Sequence, residues 1–85
     1  MKYTRHSEFI AALGKSIRNI RKQKGLSQQK LADLCDLELS QINRIELGRI
    51  NTSVSQVATI CEALNIHPKE VFDFELPKAK KKGHL

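Results

Sequence analysis

The stretch that decides the fold runs LSQQKLADLCDLELSQINRIELGR, from Leu26 to Arg49. It reads as two short amphipathic helices joined by a tight turn at Asp36 and Leu37, with the second stopped at Gly48. Ser27 is a good cap for the first, predicted over Gln28 to Cys35, which would bury Leu31 and Leu34 while Ala32 allows close packing. The second helix is expected from about Leu39 to Leu47. Setting Ile42 and Ile45 inward turns Ser40, Asn43, Arg44 and Leu47 outward, with Leu39 beside that face at the helix start. Helices this short are marginal in water, so the rest of the chain must frame them.

The frame is legible on both sides. Ser7 can cap a first helix running to about Lys24, with Ile10, Leu13, Ile17 and Ile20 on one stripe. Arg18, Arg21, Lys22 and Lys24 gather toward its end, where cations suit the helix dipole. Gly25 stops it, and Leu26 tucks back into the core. Downstream, Ser53 and Gln56 form a capping box for a helix with Val54, Val57, Ile60 and Leu64 on its stripe. Asn65 ends that helix and Ile66 returns to the core. His67-Pro68 then opens a short fifth helix through about Phe72, because proline suits the first helical position. The fold class is all-α: five helices, one core and no internal repeat.

Eighty-five residues make a single domain with a modest core. Aromatic residues make up only 5% and tryptophan is absent, so Leu, Ile and Val must build that core. No apolar run is long enough to span a membrane, and the polar start is not that of a signal peptide, so a cytoplasmic protein is expected. Cys35 and Cys61 sit in apolar helical patterns and read as small buried hydrophobes. The three histidines show no metal-ligand spacing among themselves or with the cysteines, and no cofactor site is readable.

The formal charge of +6 is unevenly placed. Residues 1–25 carry +6, residues 26–50 carry −1, residues 51–76 carry −3, and the last nine residues add four lysines. A basic balance points to a polyanionic partner, though a solvated helix and a frayed tail would give the same sum.

The residues themselves point to a family. IRxIRxxxGLSQxxLA from Ile17 to Ala32, IxRIExGRxN from Ile42 to Asn51, and a capped helix ending ALNI at Ile66 occur in one gapless order. Together they resemble the lambda-repressor and Cro group (Cro/cI-type, XRE-like) of helix-turn-helix DNA-binding domains, over about Leu13 to Phe72. The resemblance divides the chain into an extension with the start of helix one (1–12), the domain (13–72, helix-turn-helix 28–47) and a basic tail (73–85).

The resemblance implies double-stranded DNA as partner, with the third helix entering the major groove. Leu39, Ser40, Asn43 and Arg44 are then the expected base readers. Arg44 can donate two hydrogen bonds to guanine, and Leu39 can meet a thymine methyl. Ser27, Gln28, Arg49 and Asn51 are the expected phosphate contacts, which fix register without reading sequence. Arg21 and Glu46 match a structural salt bridge between helices one and three. Glu38 departs from the family's Ser or Thr at the third helix's cap, and Leu39 lies where polar readers are common.

One helix reads only a few base pairs, so a homodimer on a palindromic site is implied, with Phe74 and Leu76, joined by Tyr3 or Phe9, covering the partner. The tail lysines Lys78 and Lys80–Lys82 read as a solubilising end that can add salt-sensitive affinity. Neither a nucleophile–base pair, a carboxylate pair nor a phosphate-cradling loop is present, so an enzyme is not expected. A sequence-specific transcriptional regulator, acting as a repressor by occluding a promoter, is the first expectation. The rival is an antitoxin or adaptor whose main duty is holding a protein partner.

Overall fold

Four of the five helices end in the same way, and that shared ending sets the path of the chain. The structure is a computed structural model that describes residues 6–76. Its helices are α1 (Ser7–Gln23), α2 (Gln28–Cys35), α3 (Leu39–Glu46), α4 (Val54–Leu64) and α5 (Pro68–Val71), with no strand among the described residues. After α1 to α4 comes a residue in the left-handed region: Gly25, Asp36, Gly48 and Asn65, with φ between 56° and 73°. Glycine adopts it freely, and Asp and Asn are the side chains that tolerate it best. The following N–H reaches back five residues each time: Leu26 to Arg21 O, Leu37 to Ala32 O, Arg49 to Arg44 O and Ile66 to Cys61 O, at 2.8–3.1 Å. This is the Schellman closure, which satisfies carbonyls that a helix end leaves open.

Leu26, Leu37 and Ile66, the residues that make this return, pack against the core. Arg49 is the exception. It is exposed, and Ile50, the next residue, packs inward in its place. The chain therefore leaves α3 with a cation facing solvent where the other three helices put an apolar anchor.

The core gathers Leu13 and Ile17 of α1, Leu31, Ala32 and Cys35 of α2, Ile42 and Ile45 of α3, Val57, Ile60, Cys61 and Leu64 of α4, and Val71 of α5. Both cysteines are free and buried, and burial pushes both thiols above their usual range, with Glu70 adding to the effect at Cys61. Phe9, Phe72 and Phe74 form a ring cluster that ties the start of α1 to the end of α5, with centroids 5.4–6.3 Å apart.

Several local expectations are corrected. Ser7 is the first helical residue rather than the cap; His6 holds the cap position and makes no side-chain cap bond. The first and third helices each stop one residue short of the expected end, at Gln23 and Glu46. Leu34 is 50% exposed. At about 100° per residue, Leu31, Ala32 and Cys35 share a direction that leaves Leu34 roughly a right angle away. Val54 is 86% exposed, because the first turn of α4 overhangs the core that Val57 begins to enter. Ser53 Oγ does cap α4 by accepting Gln56 N–H at 3.0 Å. The Gln56 side chain, however, accepts from Thr52 Oγ1 at 2.8 Å instead of closing the box. Closed boxes lie at α3, between Glu38 and Gln41, and at α5, where Glu70 Oε2 accepts from His67 N and His67 Nδ1 also accepts from Lys69 N.

α1 crosses the end of α3 in close backbone contact. A Cβ on Gly14 would lie 2.7 Å from Glu46 O and closer still to Ile45 O, and one on Gly48 would lie 2.8 Å from Ala11 Cα. Backbone meets backbone there, so neither side can yield by turning a side chain. Replacing Gly14 by alanine should favour an isolated helix by about 1 kcal/mol. The overlap instead makes a net destabilisation of about 1–3 kcal/mol the expected result in urea denaturation. Equal or greater stability for Gly14→Ala would mean that the two helices do not approach so closely.

Candidate nucleic-acid interface

Glu46 is the last residue of α3, and its carboxylate is almost wholly enclosed, at 1% side-chain exposure. A buried carboxylate needs compensation for lost hydration. Arg21 supplies it from α1: Nε donates to Glu46 Oε2 at 2.6 Å and Nη2 to Oε1 at 3.0 Å. The third donor, Nη1, goes to Leu26 O at 2.7 Å, in the turn leading into α2. Gln28 Nε2 adds a further bond to Glu46 Oε1 at 2.9 Å, and Asn43 Nδ2 approaches Gln28 Oε1 at 3.5 Å. One carboxylate thus ties α1, α2 and α3 together.

The outward face of α3 carries one such tie, the Asn43–Gln28 contact. Leu39, Ser40, Asn43 and Arg44 are all exposed, and the C-capping Leu47 is 52% exposed. Glu38 occupies the cap of α3, and its N–H donates to Gln41 Oε1 at 3.1 Å, so Gln41 is turned toward the helix start. The four base-reading candidates therefore fall on one face of a helix whose other face is packed on Ile42 and Ile45.

The phosphate candidates divide. Ser27 and Gln28 sit at the start of α2, beside α3, where Ser27 Oγ accepts from Lys30 N at 3.0 Å. Both line an open polar pocket of about 560 Å³ whose other walls come from α1 and α3. Arg49 follows the same helix and faces solvent. Asn51 is exposed at the rim of an apolar groove formed with α1, α4 and α5, away from the polar pocket. Tyr3 and the lysines Lys78 and Lys80–Lys82 lie outside the described residues. Phe74 is half-buried on the core rather than displayed, whereas Phe9, Phe72 and Leu76 are exposed.

Sequence reasoning missed two features of this region. Gln28 was expected to serve a ligand; here it also holds Glu46, from 18 residues away, which no local pattern announces. Arg18 lines the same polar pocket and was read only as part of the basic end of α1.

A family profile described as Helix-turn-helix, designated HTH_3, matches residues 17–71. The chain belongs to that family. Control protein C.BamHI of Bacillus amyloliquefaciens is 42% identical over 62 residues, which span 72% of this chain and 76% of that protein. The restriction-modification controller protein C.AhdI from Aeromonas hydrophila superposes with a TM-score of 0.72 at 36% identity, covering 74% of this chain and 96% of that one. The clp gene regulator ClgR from C. glutamicum gives a TM-score of 0.72 at 28% identity, covering 74% of this chain and 82% of its own.

The chain is thus a DNA-binding regulator of the Cro/cI (XRE-like) type and not an enzyme. Among the described residues, no His, Cys, Asp and Glu side chains group as a metal site would require, and no helix is long and apolar enough to cross a membrane.

Glu46→Gln keeps the shape and removes the charge, leaving the Arg21 guanidinium enclosed without its counter-ion. Breaking one half of a buried pair costs about 3–5 kcal/mol, which for a chain this size lowers the Tm by 10 °C or more. A thermal melt followed by circular dichroism checks it, and an unchanged midpoint would mean that the pair is not buried in solution.

Proposed function

We propose that the chain is a homodimeric transcriptional regulator of the controller-protein kind, which binds a two-fold-symmetric operator and represses by occluding a promoter. The observation that carries this reading is the asymmetry of α3. Its inner end is fixed by Arg21, Glu46 and Gln28, and its outer face offers Leu39, Ser40, Asn43 and Arg44 with no competing partner among the described side chains except the long Asn43–Gln28 contact.

In this reading α3 enters the major groove and those four side chains meet base edges. Arg44 donates a bidentate pair to guanine, Ser40 and Asn43 bond neighbouring edges, and Leu39 packs on a thymine methyl. Ser27 and Gln28 hold a backbone phosphate on one side, and Arg49 and Asn51 continue the backbone contacts past the end of α3. Similarity to C.BamHI and C.AhdI, a control protein and a restriction-modification controller, favours regulation of a restriction-modification system.

The second copy of the chain is assigned to the apolar groove of about 270 Å³ between α1, α4 and α5. No charged residue lines it, and its polar side chains are confined to Asn51 and Thr52. Val54 stands at its edge almost fully exposed, and a two-fold axis beside Val54 lets each copy place that side chain in the other's groove. The short loop from Arg49 to Thr52 joins this face to α3.

Selection of bound duplexes from a random pool at near-physiological salt should return a two-fold-related site. Arg44→Ala should then lose about 1–3 kcal/mol on that site and relax one base preference. Loss of equal size on every duplex would show that Arg44 touches phosphate instead. Recovery of no preferred sequence would overturn the regulator reading.

Val54→Asp places a carboxylate at the first turn of α4, where the helix dipole accepts it, so the fold should hold. In sedimentation, the parent chain should run as a dimer and the variant as a monomer with an unchanged Tm. A parent chain that stays monomeric at high concentration would remove the dimer.

A further inference from the structure

The polar pocket between α1, α2 and α3 holds an electrostatic imbalance that the interface described above leaves unassigned. Its ionised side chains are Arg18, Arg21 and Glu46. Arg21 and Glu46 neutralise each other, and each of the three Arg21 guanidinium nitrogens already donates one hydrogen bond, two to Glu46 and one to Leu26 O. Arg18 remains. It lies one helical turn before Arg21 on the same side of α1, is exposed, and makes no ion pair with any described residue. The rest of the lining, Ser27, Gln28, Asn43 and Leu47, is neutral. The pocket therefore presents one net positive charge, framed by hydroxyl and amide groups, and opens beside the exposed face of α3.

We infer that Arg18 is a phosphate-binding residue of the interface, so that one singly charged phosphodiester of the DNA backbone is held between Arg18 on α1 and Ser27 and Gln28 on α2. This rests on the DNA-binding reading above and extends it to the first helix. A guanidinium suits the role: its planar fork matches two phosphate oxygens, and it stays charged at any working pH. The contact fixes distance and register, because a phosphate oxygen carries no base identity. It also makes a rigid link: the helix that orients α3 through Arg21 grips the backbone beside α3 through Arg18.

The test measures affinity across a range of salt for the full chain on two duplexes of equal length and unrelated sequence. Arg18→Gln should weaken both by the same factor and lower the log–log salt slope by about 0.9, the value for one lost phosphate contact. Arg18→Lys should keep most of the slope. The control is Lys15→Gln, an equal change of charge on the same helix, at a residue that lines a separate cleft with Glu70, Asp73 and Phe74. That variant should leave the slope unchanged.

An unaltered slope in Arg18→Gln overturns the inference while the DNA-binding reading stands. So does an equal drop from Lys15→Gln, which would show only a general effect of net charge. A parent chain that binds neither duplex removes the regulator reading first and this assignment with it.

Discussion

Arg21 reaches from α1 into the end of α3, and its contacts with Glu46 and Leu26 O decide how α3 is carried. A well-packed apolar pair of similar volume would hold two helices about as firmly as a buried ion pair. Such a pair would not fix direction. The guanidinium is a planar fork with a set angle between its donors, so meeting two carboxylate oxygens and one carbonyl leaves α3 one orientation against α1. Gln28 then brings α2 into the same network, through the same carboxylate. The pair's contribution is to orientation first, and in the proposed complex, where α3 meets base edges, orientation is what matters most.

The orientation works because the helices also touch without side chains between them. Gly14 lies against the carbonyls of Ile45 and Glu46, and Gly48 against Ala11. Ala11, Gly14 and Arg21 lie along α1 at spacings of three and seven residues, which puts them on one side of the helix. A close stop and a charged clamp on one face leave α3 neither distance nor rotation to vary. The Schellman closures serve the same end, since each turns the chain within two residues and leaves no slack between elements. Where the closing residue is Arg49 instead of an apolar anchor, the tight turn is kept and a cation is left facing outward.

Much of this was legible in the chain because the signals are local. Gly25, Gly48 and Asn65 are the residues a left-handed helix stop favours, and Ser27 and Ser53 are of the type that caps a helix start. Those features set the element boundaries to within a residue or so, and the spacing of Ile42 and Ile45 set the outward face of α3. Leu34 was misassigned although periodicity speaks against it, since it points about a right angle away from Leu31, Ala32 and Cys35. Val54 was misassigned because periodicity says which residues share a face, not how far the neighbouring helices extend to cover it. Similarly, Gln56 met a nearer hydroxyl on Thr52, and His67 served as a cap because a short fifth helix had to begin at Pro68. The tie from Gln28 to Glu46 is a product of tertiary geometry, and no period of three or four residues encodes it.

Large apolar side chains are exposed on two separate surfaces, and the separation follows from the same geometry. Leu34, Leu39 and Leu47 belong to α2 and α3 or their caps, whereas Phe9, Val54, Phe72 and Leu76 border the grooves between α1, α4, α5 and the segment after it. On the first surface the apolar atoms sit among Ser40, Asn43 and Arg44, a mixture suited to base edges and thymine methyls. On the second they line a groove without a charged side chain, a composition suited to another apolar surface and not to a polyanion. The loop from Gly48 to Thr52 is the only covalent link between α3 and α4, and it is short, so any copy seated on the groove is held at a set distance from α3. The spacing of two recognition helices would then be set by how Val54 and Phe72 pack in the groove. In the proposed dimer, a change of volume at either residue would move the half-site separation without touching a DNA contact.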